Sequence, residues 1–132
     1  KLSCTSSGHV WLSTMNEDDA LTLVSRQGFG KTSEYGPAAP TTPTALLKAI
    51  RTARKQGYAI TVDTYAAGLA AISTAITVPG RGAVGVLAIS GPSVRLTEER
   101  MRALAPDLLA AASDIANVSG ASPLFDRAYA PA

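Results

Sequence analysis

Residues 69–90 read LAAISTAITVPGRGAVGVLAIS, and this stretch decides the fold. It contains two β-rich apolar runs, Leu69–Val78 and Ala83–Ser90, which are separated by the four residues of Pro79–Gly82. A short loop of proline and glycine between two such runs is typical of a β-hairpin. The sequence therefore predicts two antiparallel strands, the second of which ends at the following Gly-Pro pair.

One more strand and a helix are predicted immediately before the hairpin. Apolar residues alternate with small or polar ones over residues 58–63, which predicts a strand. Upstream of it, Thr42 is a candidate N-cap, Pro43 suits the first helical position, and Gly57 is a natural C-terminal cap. These signals predict a helix over residues 43–56.

Three further helices are predicted around these elements. Asn16 and Thr97 are each followed by acidic residues, which favours a helix N-terminus at both positions. The first of these helices is expected to end at Gly28, and the second to kink or divide at Pro106. Near the N-terminus, Gly8 is expected to form a tight turn that leads into a short helix. The predicted apolar face of the last helix consists of Met101, Leu104, Leu108, Ala111 and Ile115.

Helices combined with antiparallel strands predict an α+β domain. Three strands make a small sheet for 132 residues, so either residues 1–7 supply another strand or the sheet uses strands that precede Lys1. Residues 121–132 contain no hydrophobic periodicity, so a flexible tail is expected over 120–132.

The composition limits the classes of function. The net charge of +2 and the scattered basic residues do not by themselves indicate a nucleic-acid partner. Cys4 is the only cysteine, which excludes an intrachain disulfide and fits a cytoplasmic protein. The longest apolar stretch, residues 66–78, is too short and too polar to span a bilayer, so no membrane partner is expected. The chain begins without Met, which indicates a fragment or a processed product.

Short motifs follow one another along the chain at a characteristic spacing. They are Thr5-Ser6-Ser7-Gly8 with Trp11-Leu12, Asn16-Glu17-Asp18-Asp19, Gly57-Tyr58-Ala59, Gly68-Leu69, Ile89-Ser90-Gly91-Pro92 and Arg95-Leu96-Thr97-Glu98-Glu99-Arg100. In this order they resemble the C-terminal effector-binding domain of IclR-family transcriptional regulators. The resemblance covers about residues 2–118, and the last two motifs are its most specific part.

The resemblance implies a GAF/PAS-like fold, a curved antiparallel sheet flanked by helices. It also implies a pocket for a small metabolite, such as an organic or aromatic acid, and assembly into homodimers or homotetramers. DNA would be bound only through an N-terminal helix-turn-helix, which is absent from this chain. Residues 1–119 would then form an effector-binding domain that is truncated at its N-terminus and lacks its N-terminal strands.

The resemblance further implies which positions face the ligand. They are Ser6 and Ser7 in the turn before the first helix, Thr61 in the first pocket strand, Ala71 after Gly68-Leu69, and Ala88 and Ser90 in the last strand. This chain departs from the family at His9, where lysine is common, and at Ala71, where cysteine or a similar residue is common. The acidic run of the family is reduced to Thr61–Thr64. These departures leave the identity of the ligand open.

Residue chemistry adds further candidates to the site. Amides around Gly8 at a helix start can hold an anion such as a carboxylate, and Trp11 and Met15 are expected to supply an apolar wall. Asp63 either orients the ligand or is a solvated charge at a strand end.

The sequence contains no convincing catalytic, metal or cofactor site. His9 is the only histidine, so a zinc site or a histidine-based triad lacks partners. Residues 28–32 imitate the end of a phosphate-binding loop but lack its earlier glycine. We therefore expect a non-enzymatic effector-binding and oligomerisation domain. The alternatives are a degenerate sensor that serves only for oligomerisation, and a hydrolase that uses Ser6, Ser7 or Cys4.

Overall fold

The computed structural model describes residues 1–119 and shows them as four α-helices and one antiparallel sheet of three strands. In chain order the elements are α1 (Ser6–Ser13), α2 (Glu17–Gln27), α3 (Pro43–Gln56), β1 (Ala59–Val62), β2 (Leu69–Val78), β3 (Gly82–Pro92) and α4 (Glu98–Ser119). A short 3₁₀ turn, Thr32–Glu34, lies between α2 and α3. The predicted α+β class is confirmed, and the predicted tail lies outside the described residues.

Side-chain caps determine where α2 and α3 begin. Asn16 Oδ1 accepts the amide of Asp19 at 2.8 Å, and Thr42 Oγ1 accepts the amide of Ala45 at 3.2 Å. Each cap satisfies an amide that the helix itself leaves unpaired. Gly57 ends α3 with a left-handed φ of 85°, so the bounds of this helix agree with the predicted 43–56.

The start of α1 differs from the prediction. Thr5 Oγ1 accepts the amide of Gly8 at 3.0 Å, so Gly8 lies inside the first turn of the helix. The predicted tight turn at Gly8 is therefore wrong. Glycine is required there for another reason, because a β-carbon on Gly8 would collide with the backbone of Leu2.

β2 is the central strand and pairs antiparallel with both neighbours. Its bounds agree with the prediction. β1 is shorter than the predicted 58–63, because Asp63 leaves the extended conformation with a φ of 57°. β3 is longer than the predicted 83–90, because its pairing with β2 continues as far as Pro92.

One face of the sheet packs against α4. Ala70 and Ile72 of β2 contact Met101, Ala105 and Leu108 of the helix, and all five side chains are buried. Burial of a large apolar side chain contributes about 1.5–3 kcal/mol. This cluster therefore attaches α4 to the sheet.

α4 forms one helix that contains Pro106, so a division into two pieces did not occur. Its buried face also differs from the predicted one. Leu104 is only half-buried and Ala111 is exposed, whereas Ala105 and Ala112 are buried. Alanine occurs on every side of this helix, so apolar spacing alone did not select the correct face.

α1 lies on the opposite face of the sheet and also packs against α2 and α3. Val10 of α1 packs with Ala53 of α3 and Ala59 of β1. The helical core behind it consists of Leu12, Ala20, Val24, Leu46 and Ile50. α1 is thus the element that joins the helices to the sheet.

Residues 1–7 form no strand, so the first of the two expected sources of a fourth strand is excluded. Within residues 1–119, the outer edge of β3 pairs with no other strand. No helix in that part of the chain has the length and apolar character needed to cross a membrane.

Candidate functional site

A cleft of about 190 Å³ lies between the first turn of α1 and the sheet. Thr61, Ala71 and Ser90 form a row across the three strands, because Thr61 pairs with Ala71 and Ala71 pairs with Ser90. Ala88 lies two residues before Ser90 and therefore on the same face of β3. The residues that line the cleft are Thr5, Ser6, Ser7, Thr61, Thr64, Tyr65, Leu69, Ala71, Ala88 and Ser90.

The cleft brings together six of the eight residues that were predicted to face a ligand. These six come from α1 and from all three strands and are Ser6, Ser7, Thr61, Ala71, Ala88 and Ser90. Strand register explains their convergence, since alternate residues of paired strands share one face of a sheet. Ligand binding by these residues stays a prediction.

Gly8 and Asp63 do not line the cleft. The amide of Gly8 is already bonded to Thr5 Oγ1, so the expectation that it holds an anion needs correction. Asp63 Oδ1 accepts the amide of Gly68 at 2.6 Å and so closes the connection between β1 and β2. Both residues shape the surroundings of the cleft.

The predicted apolar wall is also in a different place. Met15 packs against the helical core, and Trp11 lines a separate shallow groove beside Val86 of β3. Tyr65 and Leu69 supply the large apolar surfaces of the cleft instead. Sequence reasoning missed Tyr65 because it lies in the connection after β1, where no periodicity indicates the direction of a side chain.

A hydroxyl cluster joins α1 to β2 at the inner end of the cleft. Ser73 Oγ lies 2.6 Å from Ser6 Oγ and 3.1 Å from Ser7 Oγ. Ser6 and Ser73 are buried, whereas Ser7 is partly exposed. Sequence reasoning missed Ser73, although its spacing from Ala71 places it on the cleft face of the same strand.

Thr64 and Tyr65 are held in place by hydrogen bonds around them. Thr64 Oγ1 donates to the carbonyl of Cys4 at 2.6 Å, which ties the β1–β2 connection to the segment before α1. The amide of Gly36 lies 3.1 Å and 3.2 Å from the carbonyls of Thr64 and Tyr65. The Tyr65 ring lies 6.2 Å, centroid to centroid, from the ring of Tyr35. The mouth of the cleft is therefore built from two loops that are bonded to each other.

His9 and Cys4 are buried and do not line the cleft. His9 Nε2 lies 2.8 Å from the carbonyl of Ser3, and burial lowers the pKa of His9. Burial also raises the pKa of the Cys4 thiol. Both shifts favour the uncharged forms of these groups, and a raised thiol pKa does not favour Cys4 as a nucleophile.

The lining of the cleft contains hydroxyl groups and apolar surface but no charged side chain. Within residues 1–119, no three His, Cys, Asp or Glu side chains lie close enough together to hold a metal ion. An apolar cleft with a few converging polar groups has the usual chemistry of a small-molecule site. Hydrogen bonds, and not ion pairs with side chains, would orient a ligand here.

Three grooves are larger than this cleft. The shallow groove beside Trp11 measures about 450 Å³, and Ser7 and Gly8 also line it. The other two lie elsewhere on the molecule. One, of about 520 Å³, follows the outer edge of β1 and has Lys48 and Arg102 among its lining residues. The other, of about 510 Å³, lies between the ends of α3 and α4. Apart from Thr61, which also borders the groove along β1, neither of these two grooves contains a predicted ligand-facing residue.

An antiparallel sheet with α4 on one face and the start of α1 on the other is the architecture of a regulatory domain found in bacterial transcription factors. The chain belongs to the family described as Bacterial transcriptional regulator IclR C-terminal, whose model matches residues 1–117. The predicted resemblance is thereby confirmed.

Several known bacterial regulators are similar to the chain in sequence or in structure. The HTH-type transcriptional repressor AllR of Salmonella typhi is 29% identical over 122 residues, which cover 92% of this chain and 44% of the repressor. The C-terminal domain of the E. coli transcriptional regulator KdgR has a TM-score of 0.77 and 25% identity, over 88% of this chain and 69% of that one. The inducer-binding domain of the Acinetobacter transcription factor PobR, in complex with 3-hydroxybenzoic acid, has a TM-score of 0.79 and 18% identity. That match covers 89% of this chain and 66% of the PobR chain.

The chain spans less than half the length of the curated relatives it matches. Those relatives are repressors, one of them a repressor of the acetate operon.

Proposed function

We propose that this chain is the effector-binding domain of a DNA-binding transcriptional regulator and that its cleft binds a small organic or aromatic acid. The observation that carries this proposal is the convergence of six predicted residues on one uncharged, hydroxyl-lined cleft. The PobR inducer-binding domain, which has the same fold, was solved with an aromatic acid. The chain itself would have no catalytic role, metal or cofactor.

The chemistry of α1 supports an acidic ligand. The amides of Ser6 and Ser7 are the first two of the helix, and neither has a hydrogen-bond acceptor within residues 1–119. Unpaired amides at a helix N-terminus favour negative charge. The hydroxyls of Ser6, Ser7, Thr61 and Ser90 supply further donors around the same space.

Binding would regulate transcription through a conformational or oligomeric equilibrium of the whole regulator. A ligand shifts such an equilibrium only when it has different affinities for the two states. The cleft is lined by residues of α1 and of all three strands. A ligand bound there would therefore contact both the helical layer and the sheet, which α1 joins. DNA would be bound by a separate helix-turn-helix of a cytoplasmic regulator.

The test is a calorimetric titration of the chain with acetate, succinate, benzoate and 3-hydroxybenzoate, each compared with its neutral amide. We expect at least one acid to bind and its amide to bind at least tenfold more weakly. Binding of no acid, or equal binding of acids and amides, would contradict the proposal.

A pair of variants locates the ligand. Ala71→Leu adds a side chain to the cleft and should weaken binding more than tenfold. Ala45→Leu adds the same atoms to the groove along β1 and should leave the affinity unchanged. The reverse pattern would place the ligand in the groove.

The alternative function is an oligomerisation module without a ligand. The open edge of β3 favours it, since an unpaired strand of 11 residues is a template for pairing with another chain. Ile89 of this strand is 37% exposed. Sedimentation of wild type and of Ile89→Lys tests this function, with Val94→Lys as an exposed control away from the sheet. Loss of association in Ile89→Lys alone, together with no acid binding, would favour the alternative.

A further inference from the structure

The hydroxyl cluster consists of Ser6, Ser7 and Ser73. The number of protons that these hydroxyls carry limits how they can hydrogen-bond to one another. Three hydroxyls carry three protons, and the two contacts to Ser73 use two of them. None of the three hydroxyls has another hydrogen-bond partner within residues 1–119. One proton therefore has no acceptor in the described part of the chain.

The position of that proton follows from burial. If Ser6 and Ser7 both donated to Ser73, the remaining proton would lie on Ser73, which is fully buried. A buried donor without an acceptor costs about 1–3 kcal/mol. The favoured arrangements are chains in which Ser73 accepts from one serine and donates to the other. In one of these chains the unused proton lies on Ser6, which is buried as well, and in the other it lies on Ser7, which is partly exposed and lines the cleft. The cost of a buried unpaired donor therefore favours the chain that leaves the proton on Ser7.

We propose that Ser73 is a positioning residue of the ligand site, which directs one serine hydroxyl of α1 into the cleft as a hydrogen-bond donor. The ligand then presents an acceptor atom, such as a carboxylate or carbonyl oxygen, to this end of the cleft. Ser73 itself lies beneath the two serines and acts through them. This inference rests on the proposed function, because it concerns the same cleft.

Removal of Ser73 has a defined consequence. Without their shared partner, the hydroxyls of Ser6 and Ser7 both lose the only hydrogen bond that fixes their direction. Ser73→Ala should therefore weaken binding of the probe acids about tenfold, which corresponds to about 1.4 kcal/mol. A merely structural role of Ser73 would lower the free energy of unfolding but not this affinity.

A double-mutant cycle separates the two roles. The affinity for the acid that wild type binds most tightly among the four is measured for wild type, Ser73→Ala, the Ser6→Ala/Ser7→Ala variant and the triple variant. If Ser73 acts through the two serines, its replacement should change affinity less than about twofold once they are gone. A full tenfold effect in that background would overturn the inference while leaving the proposed function intact.

Two further variants control for stability. Thr74→Val removes the neighbouring buried hydroxyl of β2, whose bond to the Gly57 carbonyl measures 2.8 Å, and should leave affinity unchanged. Ser73→Thr keeps the hydroxyl, and its affinity for the probe acid should be within about threefold of the wild-type affinity. This variant still tests the inference if Ser73→Ala folds poorly. Equal losses in Thr74→Val and Ser73→Ala, or in Ser73→Thr and Ser73→Ala, would overturn the inference. Failure of wild type to bind any of the four acids would overturn the proposed function together with it.

Discussion

At the scale of single residues, the start of α1 is closely packed against the segment before it and against the sheet. Gly8 has the backbone of Leu2 against its α-carbon, Ser6 and Ser73 share a buried hydrogen bond, and His9 is 4% exposed. These residues hold the helix start against the sheet. Small changes here should therefore affect both stability and the shape of the cleft.

Gly8→Ala tests the close approach at this position. Alanine would raise helix propensity by about 1 kcal/mol, but its β-carbon collides with the backbone of Leu2. Because overpacking of this kind costs about 1–3 kcal/mol or more, we expect a net destabilisation of about 1–2 kcal/mol in urea unfolding. Gly85→Ala is the control, since its β-carbon would meet only Ile76 Cδ1 at an ordinary 3.6 Å. Equal stability of both variants would show that Leu2 yields easily.

His9 makes stability depend on pH in a predictable direction. Burial lowers the pKa of His9 in the folded chain below the ordinary 6.5, so below that pH the unfolded chain binds a proton that the folded chain does not. The free energy of unfolding should therefore fall as pH decreases from about 7 towards the folded pKa, by up to about 1.4 kcal/mol per pH unit. Urea unfolding between pH 5 and about pH 8 measures this slope.

His9→Gln is the matched variant for the pH experiment. Glutamine retains an N–H donor for the Ser3 carbonyl but does not titrate. We expect its stability to be nearly constant across the same pH range. An unchanged slope in this variant would assign the pH dependence to another group.

At the scale of elements, α4 is the least predictable helix because it tolerates a proline in its interior. Pro106 lacks the amide that would bond the carbonyl of Arg102, and its ring crowds that carbonyl. The helix persists because Met101, Ala105 and Leu108 are buried against the sheet. The free energy gained by packing α4 against the sheet therefore exceeds the local cost of the proline.

Pro106→Ala should stabilise the chain. The substitution restores an intrahelical hydrogen bond at an exposed site and relieves the clash, although it also increases the entropy of the unfolded chain. We expect a gain of about 1–2 kcal/mol in the free energy of unfolding and a higher melting temperature. Asp107→Ala, at the neighbouring exposed position, should change stability by less than about 0.5 kcal/mol. A destabilised Pro106→Ala would indicate that the proline ring makes a needed contact.

At the scale of the whole molecule, two apolar cores lie on opposite faces of the sheet. One joins α4 to β2, and the other lies among α1, α2 and α3. α1 contacts all three strands as well as α2 and α3. We therefore expect the two cores to unfold together.

Leu46→Ala tests this cooperativity. Leu46 is fully buried in the helical core, and such a truncation costs about 2–5 kcal/mol. Far-UV circular dichroism and the fluorescence of Trp11 should report one coincident transition in wild type and in the variant. Val94→Ala, at a site that is 86% exposed, should leave the midpoint nearly unchanged. Two separated transitions would contradict the expected coupling through α1.

The sequence by itself determined the elements whose signals are local. The Thr42 cap, the proline after it and Gly57 specify α3, and the Pro/Gly loop specifies the hairpin, because caps and turns depend on residues close together in the chain. The motifs and their spacing also pointed to the family, and the resemblance to that family implied six of the residues that meet in the cleft.

Only the tertiary structure decided which predicted residues share one surface. Gly8 and Asp63 proved to be engaged by Thr5 and Gly68. Tyr65 lines the cleft without any local signal, and only the fold brings Ser73 into contact with Ser6. The buried face of α4 was likewise set by its contact with β2. The physical reason is that hydrogen-bond partners and burial depend on residues distant in sequence, which local pattern does not encode.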